Sequence, residues 1–248
     1  MTKLRIARRL AILLIALALY LTLHGLWRLV RARSPWPRRF LRSFGRLAGA
    51  RAQVTGTPLT RDVVFLCNHL SWIDIPVLAG ATGTAFVAKA ELNDTPVIGF
   101  LCRLNHTLFV RRGDRMGIGE QVASIARALG QGWAVTLFPE GTTGDGRTLL
   151  PFKSTLLAVL EPPPPGLKVQ PVRLDYGPAT PDLAWVGDEP GTSHGLRVFG
   201  RAGTFPVNLH FLDPFDPADF PGRKAIAAEA RRRIEATGSR QQAAEGHL

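Results

Sequence analysis

The first 51 residues contain twelve Lys and Arg side chains and no Asp or Glu, and within them Leu10–Leu23 reads LAILLIALALYLTL, fourteen residues without a charge. This pairing of one-sided charge with an apolar run constrains the chain more than any other feature. The run is extended by His24, Gly25, Leu26 and Trp27 before Arg28. It is shorter than the roughly 20 apolar residues that span a bilayer comfortably and close to the lower limit of about 17. It is therefore expected either to span thinly or to lie at the interface. A basic start before a short apolar run also marks a signal peptide, but the exit, Trp27-Arg28-Leu29-Val30-Arg31, has no small-x-small cleavage site. An uncleaved anchor is expected.

The next stretch, SPWPRRFLRSFGRLAGAR, places Phe40, Phe44 and Leu47 at i, i+4, i+7 and Arg38, Arg42 and Arg46 on another face. That pattern predicts a basic amphipathic helix, suited to an anionic membrane surface and equally to an ordinary surface position. The formal charge of +12 raises nucleic acid as a partner. Beyond residue 51, however, nineteen bases face nineteen acids, so the body is neutral. The competing class is a non-enzymatic protein that binds membrane or nucleic acid through this front end. The neutral body and the lack of any nucleic-acid module speak against nucleic acid. Two cysteines, Cys67 and Cys102, are too few for a disulfide framework, which fits a reducing, cytosol-facing location. The expected division is a basic N-terminal membrane anchor and amphipathic helix over 1–51 and one further domain over 52–248.

In the body, short runs rich in β-branched and aromatic residues alternate with helical patterns, the mark of an α/β fold. Strands are expected at 62–68, 83–89, 106–112, 133–139, 168–174 and 206–212, and helices at 116–129, 152–160 and about 223–236. Pro162–Pro165 ends the helix before it. Residues 177–205, rich in Gly, Pro and Asp, read as a long excursion.

Chemistry concentrates after two of the expected strands. The first gives Cys67-Asn68-His69-Leu70-Ser71-Trp72-Ile73-Asp74. A histidine at the C-terminal end of a strand sits where α/β sheets open their binding crevice. Asp74, in the first turn of the following helix, is placed to fix the imidazole's tautomer and stabilise its charged form. Ser71 and Asp74 also have the spacing of a helix capping box, which by itself accounts for the carboxylate. The second strand runs into Phe138-Pro139-Glu140-Gly141-Thr142-Thr143-Gly144-Asp145-Gly146, whose glycines and hydroxyls suit an anion or a developing oxyanion and suit a plain polar loop as well. Gly191-Thr192-Ser193-His194-Gly195 satisfies the nucleophile-elbow pattern but lacks the strand that must precede it. Cys67, His69, Cys102 and His106 do not have the spacing of usual zinc modules, and no metal is expected.

Asn68-His69-x-x-x-x-Asp74 together with Phe138-Pro139-Glu140-Gly141-Thr142 resembles the glycerolipid acyltransferases. Phe109-Val110-Arg111-Arg112 and Val169-Gln170-Pro171-Val172 match two further motifs of that family, in order, over roughly residues 60–175. The resemblance implies a mixed α/β sheet flanked by helices, preceded by an N-terminal membrane-binding helical pair. It implies acyl transfer from acyl-CoA or acyl-carrier protein to a lysolipid hydroxyl, with no cofactor beyond that co-substrate. His69 is then the general base, Asp74 its orienting partner, and Asn68, Arg112, Glu140, Gly141, Thr142, Thr143 and Lys153 shape or hold the acceptor. The expected location is the cell inner membrane, with the catalytic domain on the cytoplasmic side.

Two departures bear on the acceptor. Thr143 stands where many phosphatidic-acid-forming members have an arginine, and Asp145 adds a carboxylate nearby, both of which make a phosphate less welcome. Arg111, where an acid or asparagine is common, works the other way. The Glu-Gly-Thr-Thr-Gly-Asp-Gly stretch resembles the branch that acylates lyso-ornithine lipid, and an added carboxylate suits a cationic amine. From the residues alone, lysophosphatidic acid and lyso-ornithine lipid both remain open.

Overall fold

The computed structural model describes residues 1–30, 32–110 and 117–245. Two helices, α1 (Thr2–Trp27) and α2 (Trp36–Ala48), lead into strand β1 (Ala50–Thr55). There follow β2 (Val63–Cys67), α3 (Asp74–Thr82), β3 (Ala85–Lys89), α4 (Pro96–Leu104), β4 (Leu108–Val110), α5 (Ile118–Gly130) and β5 (Val135–Leu137). A 3-10 helix over Thr155–Leu160 precedes β6 (Lys168–Asp175), α6 (Thr180–Leu183), α7 (Gly191–Gly200), β7 (Phe205–Phe211) and α8 (Arg223–Glu245).

The strands form one sheet in the order β1-β7-β6-β2-β5-β3-β4, with every pair parallel except β6 and β7. Strand β2, Val-Val-Phe-Leu-Cys, is buried at every position. A continuous apolar run is what a strand covered on both faces requires. Phe65 and Cys67 join Val172, Leu174, Val207 and Leu209 in one apolar layer under α3 and α7. Val64 and Leu66 join Val135, Leu137 and Val169 in the other, under α5 and α8. Because β2 runs parallel to β5 and β6, the loops after all three open at the same edge of the sheet.

Each expected strand is present, most within two residues of the expected ends; the last two residues of the 106–112 span lie outside the described residues, as does the expected first residue of the 116–129 helix. The 152–160 helix is confined to its 3-10 half. The 177–205 excursion holds two short helices, α6 and α7, that its glycines and prolines concealed. Ser193 is exposed within α7, so the nucleophile-elbow pattern lies on a helix.

The N-terminal pair is present and packs along the body. Tyr20 on α1 bonds Ser43 on α2 (3.0 Å), and Trp27 meets Trp36 edge-on. Helix α1 has length and composition enough to cross a membrane, and Leu4, Leu10, Ile12, Leu14, Ile15 and Leu19 face outward. Its arginines reach inward. Arg9 donates to the carbonyls of Phe199 (3.0 Å) and Arg201 (3.1 Å), and Arg5 to Gly200 (2.6 Å), all at the C-terminal end of α7. Arg38 and Arg42 on α2 do the same for α3, both donating to the Gly80 carbonyl, at 3.2 Å and 2.7 Å. Carbonyls at a helix C-terminus lack intrahelical partners and carry the negative end of the dipole, so a guanidinium there is doubly favoured. The helices approach closely because residue 80 is glycine: a Cβ would stand 2.9 Å from the Arg42 Cα. The arginine face read from periodicity as suited to an anionic surface is thus partly occupied in docking α2 to α3.

Candidate active site

The chain leaves β2 at Cys67 and presents Asn68 and His69 at the open edge of the sheet. The Asn68 side chain is buried, donating from Nδ2 to the Leu174 carbonyl (2.8 Å) and accepting at Oδ1 from the Leu174 N–H (2.7 Å). It joins the end of β2 to the end of β6 and does not face the opening. His69, one residue on, keeps about 17% of its side chain exposed. Its Nδ1 lies 2.8 Å from Asp74 Oδ2, and its ring stacks on Phe138 at 4.0 Å between centroids. A carboxylate only accepts, so this contact puts the proton on Nδ1 and leaves the lone pair on Nε2.

Asp74 is fully buried and opens α3. Oδ2 also accepts from the backbone N–H groups of Leu70 (2.7 Å) and Ser71 (3.1 Å), while Oδ1 accepts from the Tyr176 hydroxyl. Ser71 Oγ accepts from Ile73 N–H (3.1 Å). Regular helix begins at Asp74 and not three residues earlier, yet the carboxylate still closes the turn back to Ser71 as a capping box would. Capping and imidazole contact are therefore made by one carboxylate at once.

Glu140, after β5, points at the same loop from the other side. Oε1 accepts from the His69 backbone N–H (2.8 Å) and Oε2 from that of Leu150 (2.9 Å). Burial pushes its carboxyl up, opposed by these two hydrogen bonds. The Gly144 N–H donates to the His69 carbonyl (2.8 Å), so both backbone groups of His69 are held by the 140–144 loop. Gly141 N–H donates to Phe138 O. The amides of Gly141 and Gly144, expected to serve an anion, are thus engaged within the protein.

The remaining expected residues divide. Lys153 is exposed and lies over the loop: its N–H donates to Pro139 O (2.8 Å), and its Nζ would be 3.1 Å from a Cβ at Gly141, where φ is +74°. Thr142 is exposed beside it. Thr143 donates its hydroxyl to the Trp185 carbonyl and so ties the loop to the segment after α6. Asp145 is exposed and accepts from Arg147 N–H (2.9 Å). Arg112 lies outside the described residues. Tyr176 carries no sequence signal: it is 102 positions from Asp74 and belongs to none of the motifs.

Fold and site together define an α/β protein with a carboxylate-held histidine at the C-terminal edge of its parallel strands. The chain belongs to the acyltransferase family, which it matches over residues 51–175. Among curated relatives, lyso-ornithine lipid O-acyltransferases from Rhizobium meliloti and Brucella abortus are each 34% identical to it. The first alignment covers 84% of this chain and 76% of the relative, the second 84% of each. A 1-acyl-sn-glycerol-3-phosphate acyltransferase from Neisseria gonorrhoeae is 35% identical over 38% of this chain and 37% of its own length. The crystal structure of the 1-acyl-sn-glycerophosphate (LPA) acyltransferase PlsC from Thermotoga maritima has the same fold, with a TM-score of 0.64 at 23% identity, covering 96% of this chain and 98% of that one.

Proposed function

We propose that this chain transfers a fatty acyl group from acyl-CoA or acyl-carrier protein to the hydroxyl of a lysolipid, with lyso-ornithine lipid as the acceptor and His69 as general base. The carrying observation is the imidazole, held through Nδ1 by a buried carboxylate and open at Nε2. As the acceptor oxygen attacks the thioester carbonyl, Nε2 takes the hydroxyl proton. The tetrahedral intermediate then collapses, the C–S bond breaks, and the imidazolium returns the proton to the departing sulfur. Products are the diacylated lipid and the free thiol, and the step needs no covalent enzyme intermediate. Asp74 holds the tautomer and stabilises the imidazolium.

The acceptor assignment rests on two observations. The relatives that align along most of their length carry the lyso-ornithine name, whereas the alignments to 1-acylglycerol-3-phosphate enzymes cover little more than a third of either chain. At the site, Thr143 stands where many phosphatidic-acid-forming members have an arginine, and the exposed Asp145 adds a carboxylate nearby that suits the ornithine amine. Lys153 supplies a cation beside the same loop for the lipid's carboxylate.

The location proposed with this activity is the inner membrane, with the body on the cytoplasmic side; helix α1 supports an interfacial placement on a membrane. Its arginines hold one end to α7 and its aromatics the other to α2, so it lies along the body with an apolar face outward. The test offers the purified chain in lipid a labelled acyl thioester with either lysophosphatidic acid or lyso-ornithine lipid, with His69→Ala alongside. Product from the ornithine acceptor that disappears in the variant is expected. Product from lysophosphatidic acid alone would overturn the acceptor assignment, and an undiminished variant would overturn the base.

A further inference from the structure

We propose that Tyr176 is a positioning residue for acyl transfer, its buried hydroxyl holding Asp74 Oδ1 and so fixing the carboxylate that aims His69; this rests on the general-base reading above. Among the described residues Asp74 Oδ2 has three donors, His69 Nδ1 and two backbone N–H groups, and Oδ1 has Tyr176. Three donors converging on one oxygen leave the plane of the carboxylate free to tilt unless the other oxygen is held. Tyr176 is fully buried, and its hydroxyl is the only part that phenylalanine would lack. A hydroxyl kept in such a place needs a partner, and the partner here is the far side of the histidine–aspartate pair.

The placement is built from both strands that frame the site. Asn68 locks onto Leu174 through two hydrogen bonds. It stands one residue before His69, and Leu174 two residues before Tyr176, so this clamp sets imidazole and phenol in register. Beyond β6 the Tyr176 N–H donates to Thr180 Oγ1 (3.1 Å), its carbonyl accepts from Ala179 N–H (3.1 Å), and its ring meets Phe205 edge-on. Burial and the neighbouring Asp74 charge push the phenol well above its ordinary value. It therefore remains a donor throughout the working pH range.

Tyr176→Phe in the full chain, assayed with whichever acceptor the wild type acylates, is expected to lower kcat by between about 10- and 100-fold, the scale of a small misplacement of a catalytic group. KM for both substrates should hold. The acidic limb of the pH–rate profile should move to higher pH, because a carboxylate with one donor fewer stabilises the imidazolium more strongly. In an Asp74→Asn background the same substitution should cost nothing further, since Tyr176 acts through Asp74. A wild-type kcat and pH limb, or a loss undiminished in the Asp74→Asn background, would overturn the proposal.

If the phenylalanine variant folds poorly, 3-fluorotyrosine supplies the second test. Tyr20 and Tyr176 are the only tyrosines, so biosynthetic labelling of Tyr20→Phe modifies position 176 alone. A more acidic phenol is a stronger donor, and the acidic limb should then move to lower pH. An unmoved limb counts against the role. An inactive His69→Ala beside a silent Tyr176→Phe removes only this inference, whereas an active His69→Ala removes the base reading beneath it.

Discussion

The His69 loop and the N-terminal helix pair are both held to the body by polar contacts, but in opposite ways. Around His69 the acceptors are buried carboxylates: Asp74 is shared among three donors of its own loop and the distant Tyr176, and Glu140 between the backbone N–H groups of His69 and Leu150. At the helix pair the donors are arginines, and the acceptors are backbone carbonyls at the ends of α3 and α7. A buried carboxylate with several partners leaves them all unsatisfied when removed, so it fixes one geometry firmly. A guanidinium at a helix end, when removed, leaves only the last carbonyls of one helix short of a donor. The His69 loop is accordingly held by shared bonds, and the helix pair is docked by separable ones.

The comparison is tested hardest at the histidine. His69→Ala is expected to lower the turnover rate by about 10²- to 10⁴-fold, the usual worth of a placed general base, with little change in Tm. The backbone contacts to Glu140 and Gly144 stay in the variant, which loses only the side chain's bond to Asp74 and its stack on Phe138. Asp74→Asn should approach the same kinetic loss and also lower stability. The amide presents an NH₂ to donors that need an acceptor, at a cost of about 1–3 kcal/mol. If Asp74→Asn were as stable as wild type, the shared-carboxylate account would fail.

Glu140→Gln comes next. One oxygen still accepts from His69 or Leu150, the other position does not, and a loss of about 1–3 kcal/mol is expected by thermal unfolding. The pH dependence gives a second readout. Burial raises the folded-state carboxyl above its ordinary 4.5, so the folded chain holds this proton more tightly than the unfolded chain. Its contribution to stability is greatest at low pH and declines as pH rises from about 4.5 through the raised folded value. The glutamine variant should lack that decline. An identical pH–stability curve would show that Glu140 is not desolvated as the structure has it.

What the sequence disclosed follows from where each element finds its partners. Strands β2 and β6 were legible because burial on both faces demands unbroken apolar runs. Strand β1, Ala50–Thr55, was not, since only its first residue is buried and it pairs with β7 alone. Helix α7 was concealed by its glycines, and its end is completed by Arg5 and Arg9, nearly 200 residues away. His69, Asp74 and Glu140 could be picked out as a constellation, but the direction in which Asn68 and Glu140 face could not. Each turns inward to backbone groups, which no side-chain pattern encodes. Tyr176 was invisible for the same reason: its only mark is a partner brought near by the sheet.

The separable contacts should give smaller effects. Arg9→Ala removes hydrogen bonds from one charged donor to the carbonyls of Phe199, Arg201 and their neighbours, with an expected cost of about 1–2 kcal/mol. Activity toward a detergent-dispersed acceptor should be retained, because nothing around His69 depends on it. A collapse of that activity would mean that the helix pair and the loop are one cooperative unit. Smallest is Glu229 on α8, whose carboxyl is drawn down to about 2, first by the hydrogen bond from Arg232 and then by that from Arg233. A depressed carboxyl contributes stability that is present above about pH 4.5 and lost as pH falls toward 2. Glu229→Gln should therefore shift Tm by no more than about 3 °C at neutral pH and by progressively less as pH falls through 2. Like Arg9, Glu229 forms bonds that water readily replaces. A large shift there would show that the surface of α8 is held as firmly as the His69 loop, and the contrast between shared and separable contacts would lose its force.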